Sequence, residues 1–380
     1  MDAARKPRLR LLFVSGTTTG GSAVSTNGLA AALAARGHAV GVIARHRSRP
    51  RTALVQPAHE GRSAALARIP QRLARATRRS VSSTTVPPTS EDGVDVWTCE
   101  APERLLPAVC DAFRPDVVIA GSLARNPWTT TRATLQQLGI PSVLYVREAA
   151  TIEHVPLAEL RPDLVLTNSE ALRTVVLAAG LAATTVPSII DFAHCTVTSS
   201  RDTVLFVNPI ESRGLSIALQ LAAANRDIPF AFQRSWPLDA RDEHALQAML
   251  DGHDNIEQRP YEADPARVYR DARVLLLPYR VDQRPRVVAE AQWNGIPVLA
   301  SDLPAHREAV GAGGCFVALD AGPDAWSVAL RAIWDDEAAR RLGDAARTHA
   351  ERPEQNADRV VDRFEQLVSE LTLAHDTDTR

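Results

Sequence analysis

The sequence predicts an α/β protein made of parallel, doubly wound sheets in two domains. Short apolar runs recur from one end of the chain to the other, with stretches of helical length between them. That alternation is what a parallel sheet with helices on both faces requires. Runs such as Val274 to Leu277 are apolar at every position, as in a strand covered on both sides. The length, 380 residues, is enough for two cores of ordinary size.

Composition is that of a globular protein. The formal charge is −2, but residues 1–80 carry 15 Lys/Arg against Asp2 and Glu60, a net +13 that leaves −15 for the rest. Such asymmetry points to an acidic partner for the first part. Cys99, Cys110, Cys195 and Cys315 show no metal-ligand or Cys-x-x-Cys spacing and read as reduced cytosolic thiols. The apolar run after Arg10 spans only Leu11 to Val14, which reads as no signal peptide. No segment reaches the roughly 18 apolar residues of a membrane span, so the expected location is cytoplasmic, with at most peripheral membrane contact.

The first strand is Leu11 to Ser15, followed by Gly16-Thr-Thr-Thr-Gly20-Gly21-Ser22, a helix to Ala35, a stop at Gly37-His38 and a strand over Val40 to Ala44. A glycine-lined helix start offers free N–H groups to an anion. Its spacing is not the dinucleotide fingerprint. Residues 45–80 hold ten arginines, and Ala64 to Arg79 has an amphipathic helical look broken by Pro70. Such a segment suits either a solvated loop or an anionic membrane surface. Its lack of interleaved aromatics argues against nucleic acid. Residues 80–93 are rich in Ser, Thr and Pro and read as loop.

Further strands are expected at Val94–Cys99, Val117–Ala120, Val143–Val146 and Leu164–Thr167. Asn168-Ser169-Glu170 opens a helix that stops near Gly180, and the boundary between domains falls after Asp191, giving domains 1–192 and 193–354. Thr203–Val207 begins the second sheet, and Asn208-Pro-Ile-Glu-Ser-Arg213-Gly214 leads into a helix from Leu215. Phe230–Gln233, Ile256–Gln258 and Val274–Leu277 continue the sheet. Then come a loop with Asp282, a helix with Pro285 in its first turn, a stop at Gly295 and the strand Ile296–Ala300. Residues 322–371 read as helical, and 373–380 as a tail. Ligands in such sheets bind beyond the carboxyl ends of the strands, where Asp282 lies.

An acid, seven residues, Glu290-Ala291 and then Gly295-Ile-Pro-Val-Leu-Ala-Ser-Asp302 resembles the signature of the family 4 retaining glycosyltransferases of the GT-B fold. The resemblance implies two Rossmann-like domains facing a cleft, with a helix from about Gln355 crossing back to the first. It implies that Asp282 contacts the donor sugar and Glu290 the ribose, with Arg286 and Val287 completing the helix start. Arg213 would clamp the donor diphosphate, a task that suits a bidentate guanidinium. Gly20 and Gly21 would face the cleft and help hold donor phosphate or acceptor. On the acceptor side the resemblance places Ser22, Arg147, Glu148 and His154. Two departures stand out. The first acid is Asp, followed by Gln283-Arg284-Pro285 instead of Gly-Phe-Gly, and Asn208 occupies the first of two basic positions.

The implied reaction is transfer of a sugar from a nucleoside-diphosphate sugar to an acceptor hydroxyl of a glycan, lipid-linked or small molecule, with retention. No D-x-D triplet lies near a strand end, so no divalent metal is implied. The departures also permit a sugar-nucleotide-binding protein without turnover, or an epimerase or hydrolase on the same fold.

Overall fold

The computed structural model describes residues 8–18, 20–45, 87–121, 123, 125–149, 161–236 and 240–378. The strands of the first sheet are β1 (Arg10–Ser15), β2 (Ala39–Arg45), β3 (Thr89–Glu91), β4 (Val94–Cys99), β5 (Val117–Gly121), β6 (Ser142–Val146), β7 (Leu164–Thr167) and β8 (Thr184–Thr185). Their spatial order is β3-β4-β2-β1-β5-β6-β7-β8. The second sheet holds β9 (Thr203–Val207), β10 (Phe230–Gln233), β11 (Ile256–Arg259), β12 (Ala272–Leu277), β13 (Val298–Ser301) and β14 (Gly314–Val317), in the order β11-β10-β9-β12-β13-β14. Pairing is parallel throughout, apart from the antiparallel β3–β4 edge.

The order reverses between β1 and β5 in one sheet and between β9 and β12 in the other. Each reversal opens a crevice at the carboxyl ends of its strands. The loops after β9 and β12, which carry Asn208, Arg213 and Asp282, therefore meet at one crevice.

Alternation of side chains builds two half-cores on the first sheet. Leu11 and Phe13 face one cluster, Leu12 and Val14 the other. The first cluster is completed by residues from the far end of the chain. The helix Ala357–Asp378 inserts Val360, Val361, Phe364, Leu367 and Val368, with Phe364 stacked on Phe13 at 6.1 Å between centroids. Arg36 reinforces this by pairing with Asp358, Asp362 and Glu365 at 3.2, 2.8 and 3.2 Å. The second sheet is enclosed in a single core.

Several sequence readings are corrected. Residues 80–93 are not all loop, since Thr89–Glu91 pairs with β4 around the Asp92-Gly93 turn, both residues at positive φ. The last helix runs through the stretch read as a tail, to Asp378. The stretch 322–371 is divided into separate helices, because Asp335 ends one and caps the next through the N–H groups of Glu337 and Ala338. β14 escaped the reading because its Gly313-Gly314 start looks like a turn. A Cβ at Gly314 would lie 2.0 Å from the Val298 carbonyl oxygen, so glycine is what lets β14 approach β13.

The arginine-rich segment beyond Arg45 lies outside the described residues. Arg45 itself ends β2 and pairs with Glu103 at 3.1 Å. No helix among the described residues is long and apolar enough to cross a membrane. The four cysteines are free, and burial pushes Cys110 and Cys195 up to about 12, which keeps them protonated.

The tightest constraint is at Gly214. It sits at φ +81°, and a Cβ there would fall 2.0 Å from the carbonyl oxygen of Pro278. Gly252 has a similar φ of +86° with nothing within 4 Å of the corresponding position. Gly252→Ala should therefore cost only the left-handed strain, about 1–2 kcal/mol. Gly214→Ala adds a backbone clash and should exceed it by about 2 kcal/mol or more. Urea unfolding of both variants checks this, and equal losses would remove the clash as the reason for Gly214.

Candidate active site

Arg213 follows the turn after β9. The turn is closed by Gly214, and its Ser212 carbonyl accepts the Arg280 N–H at 3.2 Å. These contacts lay the Arg213 guanidinium over the ring of Tyr279, 4.5 Å from its centroid. Tyr279 is itself buried, its hydroxyl donating to the Val207 carbonyl at 3.2 Å. Arg213 Nε and Nη1 are buried and have no hydrogen-bond partner among the described residues. Leaving the N–H groups of two cationic nitrogens unsatisfied is costly, a cost that an anionic oxygen would relieve.

Asn208 is in the left-handed region, φ +65°, which Asn tolerates better than most residues. Its Oδ1 accepts the Ser235 N–H at 3.2 Å. The position that resembles a phosphate-binding base therefore shapes the turn.

Asp282 and Glu290 lie at opposite ends of the same loop-helix unit, and each has acquired partners. Asp282 Oδ1 accepts from Ala305 N at 2.8 Å, capping the helix Pro304–Val310. Glu290, in the helix Arg286–Trp293, receives the Tyr269 hydroxyl at 2.7 Å and pairs with Arg286 Nη2 at 3.4 Å. Burial beside Glu290 drives the Tyr269 hydroxyl well above its usual range, so it stays a donor to the carboxylate. Val287 packs half-buried against the core of the second domain.

Arg286 reaches across to the first domain. Its Nη1 donates to Ser25 Oγ at 3.2 Å and to the Ile189 carbonyl at 2.6 Å. The helix Gly20–Ala35 begins beside it, and a Cβ at Gly21 would lie 3.4 Å from Arg286 Cδ. Gly21, Arg286 and Glu290 are thus brought together, as the resemblance implied for the two sides of a cleft. Arg284 makes a second bridge, to the Asn168 carbonyl at 3.1 Å. Glu308 makes a third, accepting the N–H groups of Glu170 and Ala171 at 3.0 and 2.9 Å. A carboxylate at that helix start is favourably placed.

Arg147 and Glu148 part company. Glu148 is exposed, whereas Arg147 is buried, lies 4.1 Å over the Tyr145 ring and donates to Thr26 Oγ1 at 2.7 Å. Its Nη1 is also 3.5 Å from the carbonyl and hydroxyl oxygens of Ser22. Burial and the nearby Arg286 charge lower its pKa. His154 lies outside the described residues. Tyr279, Tyr269 and Arg284 were missed by motif reading. Tyr279 and Arg284 could have been found as ring and cation flanking Asp282, but Tyr269 has no local signal.

Residues 237–336 match the family model for glycosyl transferases group 1. The chain is similar in structure to Anabaena HepE in complex with UDP, with a TM-score of 0.68, 13% identity and coverage of 95% of this chain and 100% of that one. It is similar to the sucrose-phosphate synthase of Thermosynechococcus elongatus, with a TM-score of 0.70, 15% identity and coverage of 96% and 100%. The catalytic domain of Arabidopsis thaliana starch synthase IV, bound to ADP and acarbose, gives a TM-score of 0.64 at 9% identity, covering 96% and 100%. No curated protein sequence matches. The fold is GT-B: two parallel-sheet, Rossmann-like domains.

Below the cleft surface, His306 is fully buried with Nδ1 3.0 Å from both the hydroxyl and carbonyl oxygens of Ser301, and Nε2 unpartnered. Burial, with Arg213 nearby, holds its pKa below the ordinary 6.5. The folded state thus binds fewer protons than the unfolded state below that pH, so stability falls as pH drops through 6.5 and is unaffected above it. His306→Gln should reduce the acid-side slope by up to one proton, about 1.4 kcal/mol per pH unit. His349, lowered in the same direction, leaves a residual slope. Unfolding titrations between pH 5 and 8 measure the difference; an unchanged slope would mean His306 binds its proton equally in the folded and unfolded states.

Proposed function

We propose that this protein is a nucleotide-sugar glycosyltransferase that moves a sugar, with retention and without a metal, from a nucleoside-diphosphate sugar to an acceptor hydroxyl. One observation carries the reading. Arg213 holds two unpartnered N–H groups over Tyr279, at the switch-point crevice of the sheet that contains much of the family match. The named ligands of similar proteins, UDP in HepE and ADP in starch synthase IV, support a nucleoside diphosphate as the occupant.

The chemical task is to stabilise the negative charge that grows on the departing diphosphate. A guanidinium already held in place does this with little reorganisation. The amino end of the Arg286–Trp293 helix and the Gly20-Gly21 helix start add oriented N–H groups from the two sides. Glu290, oriented by Tyr269, is assigned to the ribose diol. Asp282 uses Oδ1 for its helix cap, leaving Oδ2 for a hydroxyl of the transferred sugar. Acceptor activation is assigned to the leaving phosphate, with the acceptor bound by the first domain near Ser22. The competing reading, binding without transfer, is favoured by the commitment of the Asn208 side chain to Ser235; nucleotide sugar bound without any turnover would establish it.

Arg213→Ala should weaken UDP or ADP binding about tenfold or more, since a hydrogen bond to a charged group contributes roughly 1.5–3 kcal/mol. Calorimetry on a folded variant with unchanged diphosphate affinity would reject the assignment. The two acids should separate in the same assay. Glu290→Gln is expected to weaken nucleotide sugar and free diphosphate alike. Asp282→Asn keeps an oxygen for the cap and should lower transfer while leaving free diphosphate binding intact. Equal loss of diphosphate affinity in both variants would show that their roles are not divided.

A further inference from the structure

Between the two domains lies a cavity of about 640 Å³, within the range of roughly 300–1,000 Å³ usual for small-molecule sites. Neither Asn208, Arg213, Asp282 nor Glu290 lines it. One wall is the helix Gly20–Ala35, which presents Val24, Gly28 and Ala31 at i, i+4 and i+7, one face of the helix. Val24 is 52% exposed despite its apolar side chain. Gly28 opens the space, because a Cβ there would meet nothing within 4 Å. Also lining it are Phe192 and Trp293, stacked at 4.3 Å between centroids. The body of the cavity is therefore apolar, with a flat aromatic pair in its lining.

Its rim is charged. Glu351 is matched by Arg347 at 2.6 Å and Arg286 by Glu290 at 3.4 Å, while Asp191 faces only the His194 imidazole, at 3.4 Å. Arg352 has no carboxylate within ion-pair distance among the described residues. It donates to the His349 carbonyl, and the Gln355 side-chain amide lies beside it. Burial and the neighbouring Arg284 charge lower the Arg352 pKa to about 10 although Glu354 and Glu308 pull it the other way, a remaining cost that an arriving anion would relieve. The helix Ala357–Asp378 also begins at this rim, so its positive end adds to the same preference.

We propose that this cavity is a second ligand site, separate from the nucleotide cleft, for a small amphiphilic anion. A flat apolar body lies between the Gly28 face and Trp293, and a carboxylate, sulfonate or phosphate head lies at Arg352. Both domains contribute walls, so an occupant favours the domain arrangement in which those walls meet. Arg286 lines the cavity and also pairs with Glu290, so occupancy and nucleotide binding are coupled, and the coupling is reciprocal.

The probe is 8-anilinonaphthalene-1-sulfonate, titrated by fluorescence into the full chain with and without UDP. Saturable binding of about one dye per chain is expected, and UDP should shift its affinity without displacing it. Gly28→Leu fills the space and raises helix propensity, so it should weaken the dye at least tenfold while keeping Tm and UDP affinity. Ala31→Phe, filling from the next turn, serves if Gly28→Leu folds poorly. Arg352→Gln should weaken the dye several-fold. Unchanged dye affinity in a folded filling variant, or one-for-one displacement by UDP, would overturn the proposal. Dye binding is read independently of UDP binding, so a failure of the glycosyltransferase reading would be visible separately.

Discussion

The passage of Gly214 against the carbonyl of Pro278 is the contact on which the site depends. It brings the turn after β9 down onto the end of β12, closer than any side chain would allow. Arg213 is then held between a backbone it cannot leave and the ring of Tyr279. A flexible arginine loses much rotamer freedom when it binds an anion. Here that loss is borne during folding, by van der Waals contact and burial, and the guanidinium waits with unpartnered donors.

The relation between the domains depends on buried cations. Arg284 and Arg286 bridge the interface, Arg147 is buried within the first domain beneath its first helix, and burial lowers the pKa of Arg147 and Arg284. Charges removed from water are tolerated only with good partners. Carbonyls, hydroxyls and the carboxylates Glu290 and Glu308 supply most of these. Breaking one bridge would strand a desolvated charge. Arg284, at the apolar position of the glycine-rich pattern from which residues 283–285 depart, supplies an interdomain bond that an apolar residue cannot make. Arg286, just beyond that pattern, adds another and places Glu290 under the influence of both domains.

The two acids of the motif are each anchored by a remote part of the chain. Asp282 is anchored by the start of a neighbouring helix, and Glu290 by a buried phenol. Each keeps its orientation without a ligand, which is the condition for electrostatic preorganisation. Neither anchor is near in sequence: Ala305 is 23 positions from Asp282, and Tyr269 is 21 from Glu290.

By itself the sequence determined the α/β class, most of the strands and the crevice where the motif residues gather. Strand and helix periods and glycine stops are local, and a parallel sheet covered on both faces writes itself as uninterrupted apolar runs. Only the tertiary structure decided which contacts those residues make. It turned Asn208 into a turn residue, buried Arg147 beneath the first helix and paired Arg286 with Glu290. It also revealed β3, three polar residues, and β14, whose Cys315–Val317 run follows a Gly313-Gly314 pair that reads as a turn. Tyr269 beneath Glu290, the stacking of Phe364 on Phe13 and the cavity opened by Gly28 have no local signature. Each depends on the distance between chain segments remote in sequence, and packing sets that distance.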